Sequence, residues 1–481
     1  MNRSVGISPV EPVQTGEGHR DPKGRGMDGF ARSAPSGNLT ALKAGLLLSQ
    51  ATTAFEYMAV LAVMPAARDD LGHPEFYAWA FTAFMIAQIF TVVAAGMAAD
   101  RIGPVRPLLA GMVVFALGLV LAATAPSMAL LVLARFVQGL GAGAANVTVM
   151  FLVGQAFEPH ARARMMTGLS IAWMAPTLVG PVVAAWIAEN FSWHWVFWSV
   201  LPLLGLAAVL LLPATLRLRL PDPDPTAGSL GNLGRAALVA LGAAALQWAG
   251  QHLEPWSLLW AALGVGVLVW ALPALMPRGY RPWGRGLSAV VGVRALSSGG
   301  YYGVEAFLSL MLVTAWRLPL QTAAACILVG SIGWTTGSWV QSQRWLRLRR
   351  DAIVTLGALV TATGIAVIAA AALVDGAPLW LVIAGWAVGG IGMGLSHTSS
   401  ALVVMQLAEP GELGRATSSL QVGEALGNAL VGGLAGTIYA VTLGLGNLSF
   451  GLVMAAMTVL AGLSVAAARR IGPVENHSAA G

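Results

Sequence analysis

Apolar runs of about 20 residues, separated by charged residues or by proline and glycine, recur along this 481-residue chain. A hydrocarbon layer of ~30 Å takes about 20 helical residues to cross, and it holds no water to satisfy exposed backbone groups. Runs of this length therefore predict membrane-spanning helices. Fourteen are predicted, with approximate limits 41–65, 76–99, 107–125, 128–151, 165–188, 193–213, 233–250, 256–276, 286–314, 321–341, 353–374, 378–405, 415–438 and 443–467. The seventh and eighth are parted only by the polar turn at Gln251, His252, Glu254 and Pro255. They read as two spans or as one re-entrant hairpin, and two spans keep the topology consistent. Composition agrees: 57% of residues are hydrophobic and 10% charged, with a mean hydropathy of +0.73. Soluble domains carry about one-quarter charged residues, so a soluble enzyme is excluded.

An even number of spans puts both ends on one side. In this topology 24 of the 27 lysines and arginines, Arg294 among them, lie on the side of the two ends; Arg68 and Arg317 lie opposite, and Arg135 falls inside a span. Basic residues accumulate in cytoplasmic loops, so both termini are expected inside a cell membrane. The net charge of +6 is thereby explained by topology, with no nucleic-acid partner. Residues 1–40 lack the apolar core of a signal peptide and read as a disordered cytoplasmic tail, with 469–481 as a second tail. The single cysteine, Cys326, is expected simply to pack.

The chain repeats itself. Gly139, Gly141, Gly143, Gln155, Glu158, Pro159 and Arg164 recur 251 residues later as Gly390, Gly392, Gly394, Gln406, Glu409, Pro410 and Arg415. An abundance of glycine alone does not reproduce the Gln-x-x-Glu-Pro. The register pairs the fourth span of the first six with the fourth of the last six. It gives a six-helix half over 41–213, a linker with two extra membrane helices over 214–285, and a second six-helix half over 286–468. Two parallel halves around a midplane site is a secondary-transporter architecture, and small residues permit the close helix approach it needs.

Particular motifs sharpen this. Gly96-Met-Ala-Ala-Asp100-Arg101-Ile-Gly103 after the second span resembles the loop signature of the major facilitator superfamily. Arg135-Phe-Val-Gln138-Gly139 is similar to its R-x-x-Q-G element. Pro176-Thr-Leu-Val-Gly180-Pro181 resembles the antiporter signature of the fifth span, and Trp193-His-Trp195-Val-Phe197 resembles the W-R-W-x-F that often follows it. With fourteen spans, the set resembles the drug–proton antiporter branch, of multidrug-efflux type, over about residues 41–470. The chain departs from the pattern at Pro104-Val105 in the loop, at Pro176 and Ala184-Ala185 in the antiporter element, and at Gln341 in the second-half loop. The resemblance implies an all-α major-facilitator fold, gating roles for Asp100, Arg101, Gly180 and Pro181, and a latch at Asp100 that holds the cytoplasmic side shut.

The residues that cost most in lipid carry the chemistry. Glu56, Glu305 and Glu424 are the acids well inside apolar spans, and an acid at mid-bilayer costs roughly 2.5–3.5 kcal/mol on insertion scales. Each needs a partner, a water-filled cavity or a proton. Glu56 and Glu305 sit in the first helix of each half. All three are candidates for proton coupling, against a purely structural hydrogen-bonding role. Arg135 is read as the one intramembrane base, sharing a network with Gln138; the resemblance implies a relay or conformational role for it.

Asn146 and His397 occupy equivalent positions of the repeat. With Trp173, Tyr302, Trp334 and Gln421 they are candidate substrate-binding residues, although a buried histidine is more often satisfied by hydrogen bonds and most aromatic residues of membrane proteins face lipid. No G-x-x-x-x-G-K-[ST] is present, so nothing supports an ATP-driven pump, and no cofactor or metal site is expected. The preferred reading is proton-coupled export of amphipathic cationic or neutral small molecules by a monomer in the lipid bilayer. Proton-linked uptake or lipid translocation on the same scaffold, and a non-transporting membrane sensor, are the alternatives.

Overall fold

The computed structural model describes residues 36–475 apart from 158, 217, 219–229, 253, 344, 375 and 409–412. The described residues form fourteen long helices and no strand: α1 (Ser36–Leu71), α2 (Tyr77–Ile102), α3 (Val105–Ala123), α4 (Met128–Ala156), α5 (Pro159–Asn190), α6 (Trp193–Leu216), α7 (Leu230–Gln251), α8 (Ser257–Leu275), α9 (Leu287–Leu310), α10 (Leu320–Val340), α11 (Arg350–Leu373), α12 (Leu379–Leu407), α13 (Leu413–Thr442) and α14 (Asn447–Ala468). Thirteen are long and apolar enough to cross a membrane. The exception is α9, whose apolar run is interrupted by Arg294, Glu305 and pairs of serine, glycine and tyrosine. Hydroxyls inside the helices close back on the preceding turn, as Thr52 does on the Leu48 carbonyl (2.7 Å) and Thr91 on that of Ala87 (2.9 Å), so they enter an apolar medium already satisfied.

The two halves pack by one plan. In the first, α1 packs on α5 and α6, and α4 on α2 and α3; in the second, α9 packs on α13 and α14, and α12 on α10 and α11. The repeated glycines are what brings the fourth helix of each half so close. A Cβ on Gly139 would lie 2.2 Å from the Phe84 carbonyl oxygen of α2, and one on its counterpart Gly390 would lie 2.2 Å from that of Gly330 in α10. No side chain fits at either position. Between the halves, α2 meets α13 and α5 meets α10, the exchange of partners expected of a two-fold pseudo-repeat.

The seventh and eighth spans are two separate helices of 22 and 19 residues that pack on each other, and α7 also lies against α2 and α13. At 1.5 Å per residue each is about as long as the hydrocarbon layer is thick. The expected tails differ from the structure. Residues 36–40 already belong to α1, while 1–35 lie outside the described residues. Beyond α14 the chain is docked: Ile471 and Val474 are buried among residues of α9, α11, α12 and α13. The Arg350 N–H donates to the Val474 carbonyl (2.9 Å), and the Val474 N–H donates to Asp351 Oδ1 (3.0 Å). Two apolar side chains three residues apart, with their backbone paired to a neighbouring helix start, fix a segment that its polar composition assigned to a tail.

Candidate functional site

The halves are sealed together at the face where α1 ends and α2 begins. Tyr77 Oη of α2 donates to the Ala306 carbonyl of α9 (2.9 Å), and the Gln321 N–H of α10 donates to Glu189 Oε1 of α5 (3.0 Å). Around the first bond the rings of Tyr77, Phe81, Phe307, Tyr439 and Phe450 form a continuous aromatic plug, with successive centroids 5.2–5.5 Å apart. Below the plug, toward the opposite face, two chambers open between the halves.

The first chamber, of about 380 Å³, is lined by Asn146, Trp173, Tyr302, Trp334, His397 and Gln421, which the sequence marked as candidate binding residues. Tyr57, Gln50, Gln88 and Asn428 also line it, and carry no comparable signal in the sequence. Asn146 and His397 thus face one space from equivalent helices. So do Trp173 and Glu424, which are again 251 residues apart. The Glu424 carboxylate has its own partners. Oε1 lies 3.1 Å from His397 Nε2 and accepts from Ser298 Oγ at 3.5 Å, while Oε2 lies 3.6 Å from Arg294 Nη1.

Arg294 corrects the sequence reading, which placed it in the cytoplasm and made Arg135 the one intramembrane base. It lies inside α9, 4% exposed, facing Glu424 of α13. Its position eight residues into a helix predicted to start near 286 was the available signal. Packing of α9 on α13 removes it from water and leaves Glu424 as its counter-charge.

Glu56 and Arg135 form a second buried ion pair, each 1% exposed, joining α1 to α4. Arg135 Nη1 also donates to Gln138 Oε1 (2.5 Å), Nε donates to the Ala80 carbonyl (3.0 Å), and the guanidinium lies 4.5 Å from the centroid of the Phe84 ring. The position equivalent to Arg135 in the other half is Trp386. It too donates to a carbonyl of the second helix of its half, Ile327 at 3.1 Å, but against the first helix it stacks on Tyr301 with a centroid separation of 4.4 Å. Among the described residues no guanidinium therefore pairs with Glu305. That side chain is 2% exposed, its Oε2 has no hydrogen-bond partner, and it lines the second chamber, of about 390 Å³.

The gating candidates lie outside both chambers. Asp100 and Arg101 stand at the C-terminal end of α2, far from the plug, where Gly103 at φ 81° turns the chain. Gly180 and Pro181 are buried; a Cβ on Gly180 would lie 3.5 Å from Phe55 and 3.6 Å from Met58 of α1. α5 runs as one helix through Pro176 and Pro181. In the second half Gln341, standing where an acid was expected, accepts from Arg350 Nη1 (2.7 Å) and from Ser399 Oγ (3.3 Å). Of the repeated Gln-x-x-Glu-Pro, Glu158, Glu409 and Pro410 lie outside the described residues.

Comparison with known proteins agrees with this geometry. The sequence profile of the Major Facilitator Superfamily matches residues 46–358. An uncharacterized MFS-type transporter of Mycobacterium tuberculosis is 29% identical over 82% of this chain; the chain spans 58% of that relative's length. A probable multidrug-efflux transporter of the same organism is 27% identical over 85% of this chain and 89% of its own. Among solved structures, the peptide transporter POT in complex with sulfate superposes with a TM-score of 0.68 at 18% identity, covering 91% of this chain and 95% of its own. A human organic anion transporter gives 0.62 at 16%, covering 91% and 100%. At these identities the two structures show the fold alone. A profile match over most of the chain, two six-helix halves with one packing plan and chambers between them make the chain a multi-pass membrane protein that belongs to the major facilitator superfamily.

Proposed function

We propose that the protein exports amphipathic cationic or neutral small molecules in exchange for protons, by alternating access, from a cell membrane in which both termini are cytoplasmic. The observation that carries the reading is Glu305: a carboxyl group buried between the halves, without a counter-charge among the described residues, at the wall of a chamber large enough for a small molecule. Such a group binds either a proton or a cationic ligand, and competition between the two is the simplest route to exchange. The Arg294–Glu424–His397 cluster at the other chamber is a second place where charge can be redistributed when a ligand arrives.

The basic residues gathered on the face of the two ends support the orientation, so the plug closes the external side and the chambers face the cytoplasm. The efflux-type relative supports the direction of transport and the breadth of substrate. The driving force is ample: one charge moved through 100 mV is worth ~2.3 kcal/mol, and a pH unit ~1.36 kcal/mol.

The test is flux in proteoliposomes with an imposed pH gradient, across a panel of lipophilic cations, neutral antibiotics and lipids. Accumulation against the proton gradient supports antiport. Substrate movement together with protons would replace it with uptake, and no flux for any compound would favour a sensor.

A further inference from the structure

Five side-chain amides line the first chamber: Gln50 of α1, Gln88 of α2, Asn146 of α4, and Gln421 and Asn428 of α13. Asparagine and glutamine inside a membrane ordinarily hydrogen-bond to a neighbouring helix, since hydrocarbon offers no other partner. None of these five forms a side-chain hydrogen bond with another described residue. Asn428 is the clearest case: it is 8% exposed, and its Oδ1 is buried without a hydrogen-bond partner among the described residues. Amides from both halves are thus left unengaged around one space.

Gln421 and Asn428 are seven residues apart on one face of α13, two turns and about 10.5 Å along its axis. Glu424, between them, is already engaged by His397 and Arg294. Rings stand beside the amides in the same wall. Tyr57 meets Tyr302 edge-on at 5.8 Å and Trp173 at 6.5 Å, and Tyr302 meets Trp334 at 6.1 Å between centroids. Met85, Val92 and Val149 add apolar surface.

We propose that the first chamber binds the sugar ring of a neutral amphipathic glycoside, with Asn146, Gln421 and Asn428 holding its hydroxyls. The inference rests on the export reading and deepens it by naming a substrate class. Each side-chain amide offers two N–H donors and a carbonyl acceptor, and each hydroxyl both donates and accepts, so neighbouring hydroxyls match the fork of an amide. A trans peptide group points its N–H and C=O in opposite directions, and one amide side chain cannot grasp both. The C–H groups on a sugar ring carry partial positive charge and pack on the negative faces of aromatic rings. Amides beside π faces therefore suit a polyol better than a peptide, and the apolar surface suits the aglycone.

The experiment is equilibrium binding to the full chain in nanodiscs, without any gradient, of three neutral probes. They are methylumbelliferyl glucoside, methylumbelliferone methyl ether, which lacks the sugar, and the acetamide of aminomethylcoumarin, which carries an amide in its place. The glucoside is expected to bind at least tenfold more tightly than either of the others, because a site built to hydrogen-bond hydroxyls rejects an analogue without them. Asn428→Leu and Asn146→Leu should each remove most of that advantage while changing affinity for the methyl ether less than twofold, which also shows that the variants fold. Asn428→Ser, which restores a hydroxyl, should recover part of it. Equal affinity for the glucoside and the methyl ether in the parent, an undiminished advantage in both leucine variants, or tighter binding of the acetamide would overturn the proposal. Binding here needs no transport, so a glucoside that binds but is not moved would count against export and leave the site standing. A chain that exports cations and ignores the glucoside would do the reverse.

Discussion

Arg135 and Trp386, 251 residues apart at the same position of the fourth helix of each half, both donate a side-chain N–H to a carbonyl of the second helix, at 3.0 and 3.1 Å. They differ in what they offer the first helix. Arg135 gives Glu56 a permanent counter-charge, and Trp386 gives Tyr301 a stacking face, so Glu305 in the first helix of that half has no arginine partner among the described residues. The repeat thus conserves an anchoring bond and breaks symmetry in charge. One intramembrane glutamate is held by a guanidinium, and Glu305, in the first helix of the other half, has no such partner among the described residues.

The pairing of Glu56 with Arg135 is testable through stability. Removing one partner of a buried pair leaves an uncompensated charge, which costs about 3–5 kcal/mol, whereas replacing both by apolar residues is often close to neutral. Glu56→Gln is expected to lower the thermal midpoint of the purified protein markedly, and the double replacement Glu56→Leu with Arg135→Met to recover most of the loss. A double variant no more stable than the single one would show that the pair does more than compensate charge.

Glu305→Gln is expected to behave differently. The amide keeps the shape of the side chain and cannot titrate, so folding and expression should persist while proton-driven export is lost. Exchange of labelled for unlabelled neutral substrate, which needs no proton, should survive. Unchanged proton movement per substrate in this variant would remove Glu305 from the coupling step.

The seal at the face where α1 ends rests partly on one neutral hydrogen bond, Tyr77 Oη to the Ala306 carbonyl. Such bonds contribute about 0.5–1.5 kcal/mol, so Tyr77→Phe should raise the population open at that face by roughly 2- to 13-fold. Spin labels on Asp69→Cys and Arg317→Cys, exposed residues of the two halves at that face, would report it in a Cys326→Ala background. A distance distribution identical to that of the parent would mean that the aromatic plug alone holds the seal.

At the opposite face, Asp100→Asn tests the latch implied by the loop after α2. Loss of its charge should favour the state seen here, in which the chambers face that side, and should quicken labelling of Gln421→Cys, an exposed residue of the first chamber, by a membrane-impermeant reagent added at that face. Labelling at the parent rate would place the latch elsewhere.

Substrate charge follows from the count of intramembrane ions. Among the described residues, with Arg294 included, three intramembrane acids face two arginines, and the surplus is Glu305. Lipophilic cations are expected to inhibit transport competitively, and acidification, by protonating Glu305, should weaken them while leaving neutral inhibitors unchanged. Tight binding of a dianion that improves at alkaline pH would assign the anchor to Arg294 or Arg135 instead.

The amino-acid sequence by itself determined the helices, the repeat and the family, because lipid leaves an apolar run of 20 residues no other way to satisfy its backbone and because glycines at a fixed offset demand the same close packing twice. It also pointed to Glu56, Glu305 and Glu424, since acids in apolar runs are conspicuous without any structure. Which of the three is free could be decided only by tertiary structure. Partners such as Arg135 for Glu56, and Arg294 and His397 for Glu424, come from other helices 27 to 130 residues away in the chain, and hydropathy carries no record of which helix faces confront each other. The same holds for the docking of Ile471 and Val474: two apolar side chains in a polar stretch are ordinary in a tail, and only the surface of α9 and α11 against which they settle makes them part of the fold.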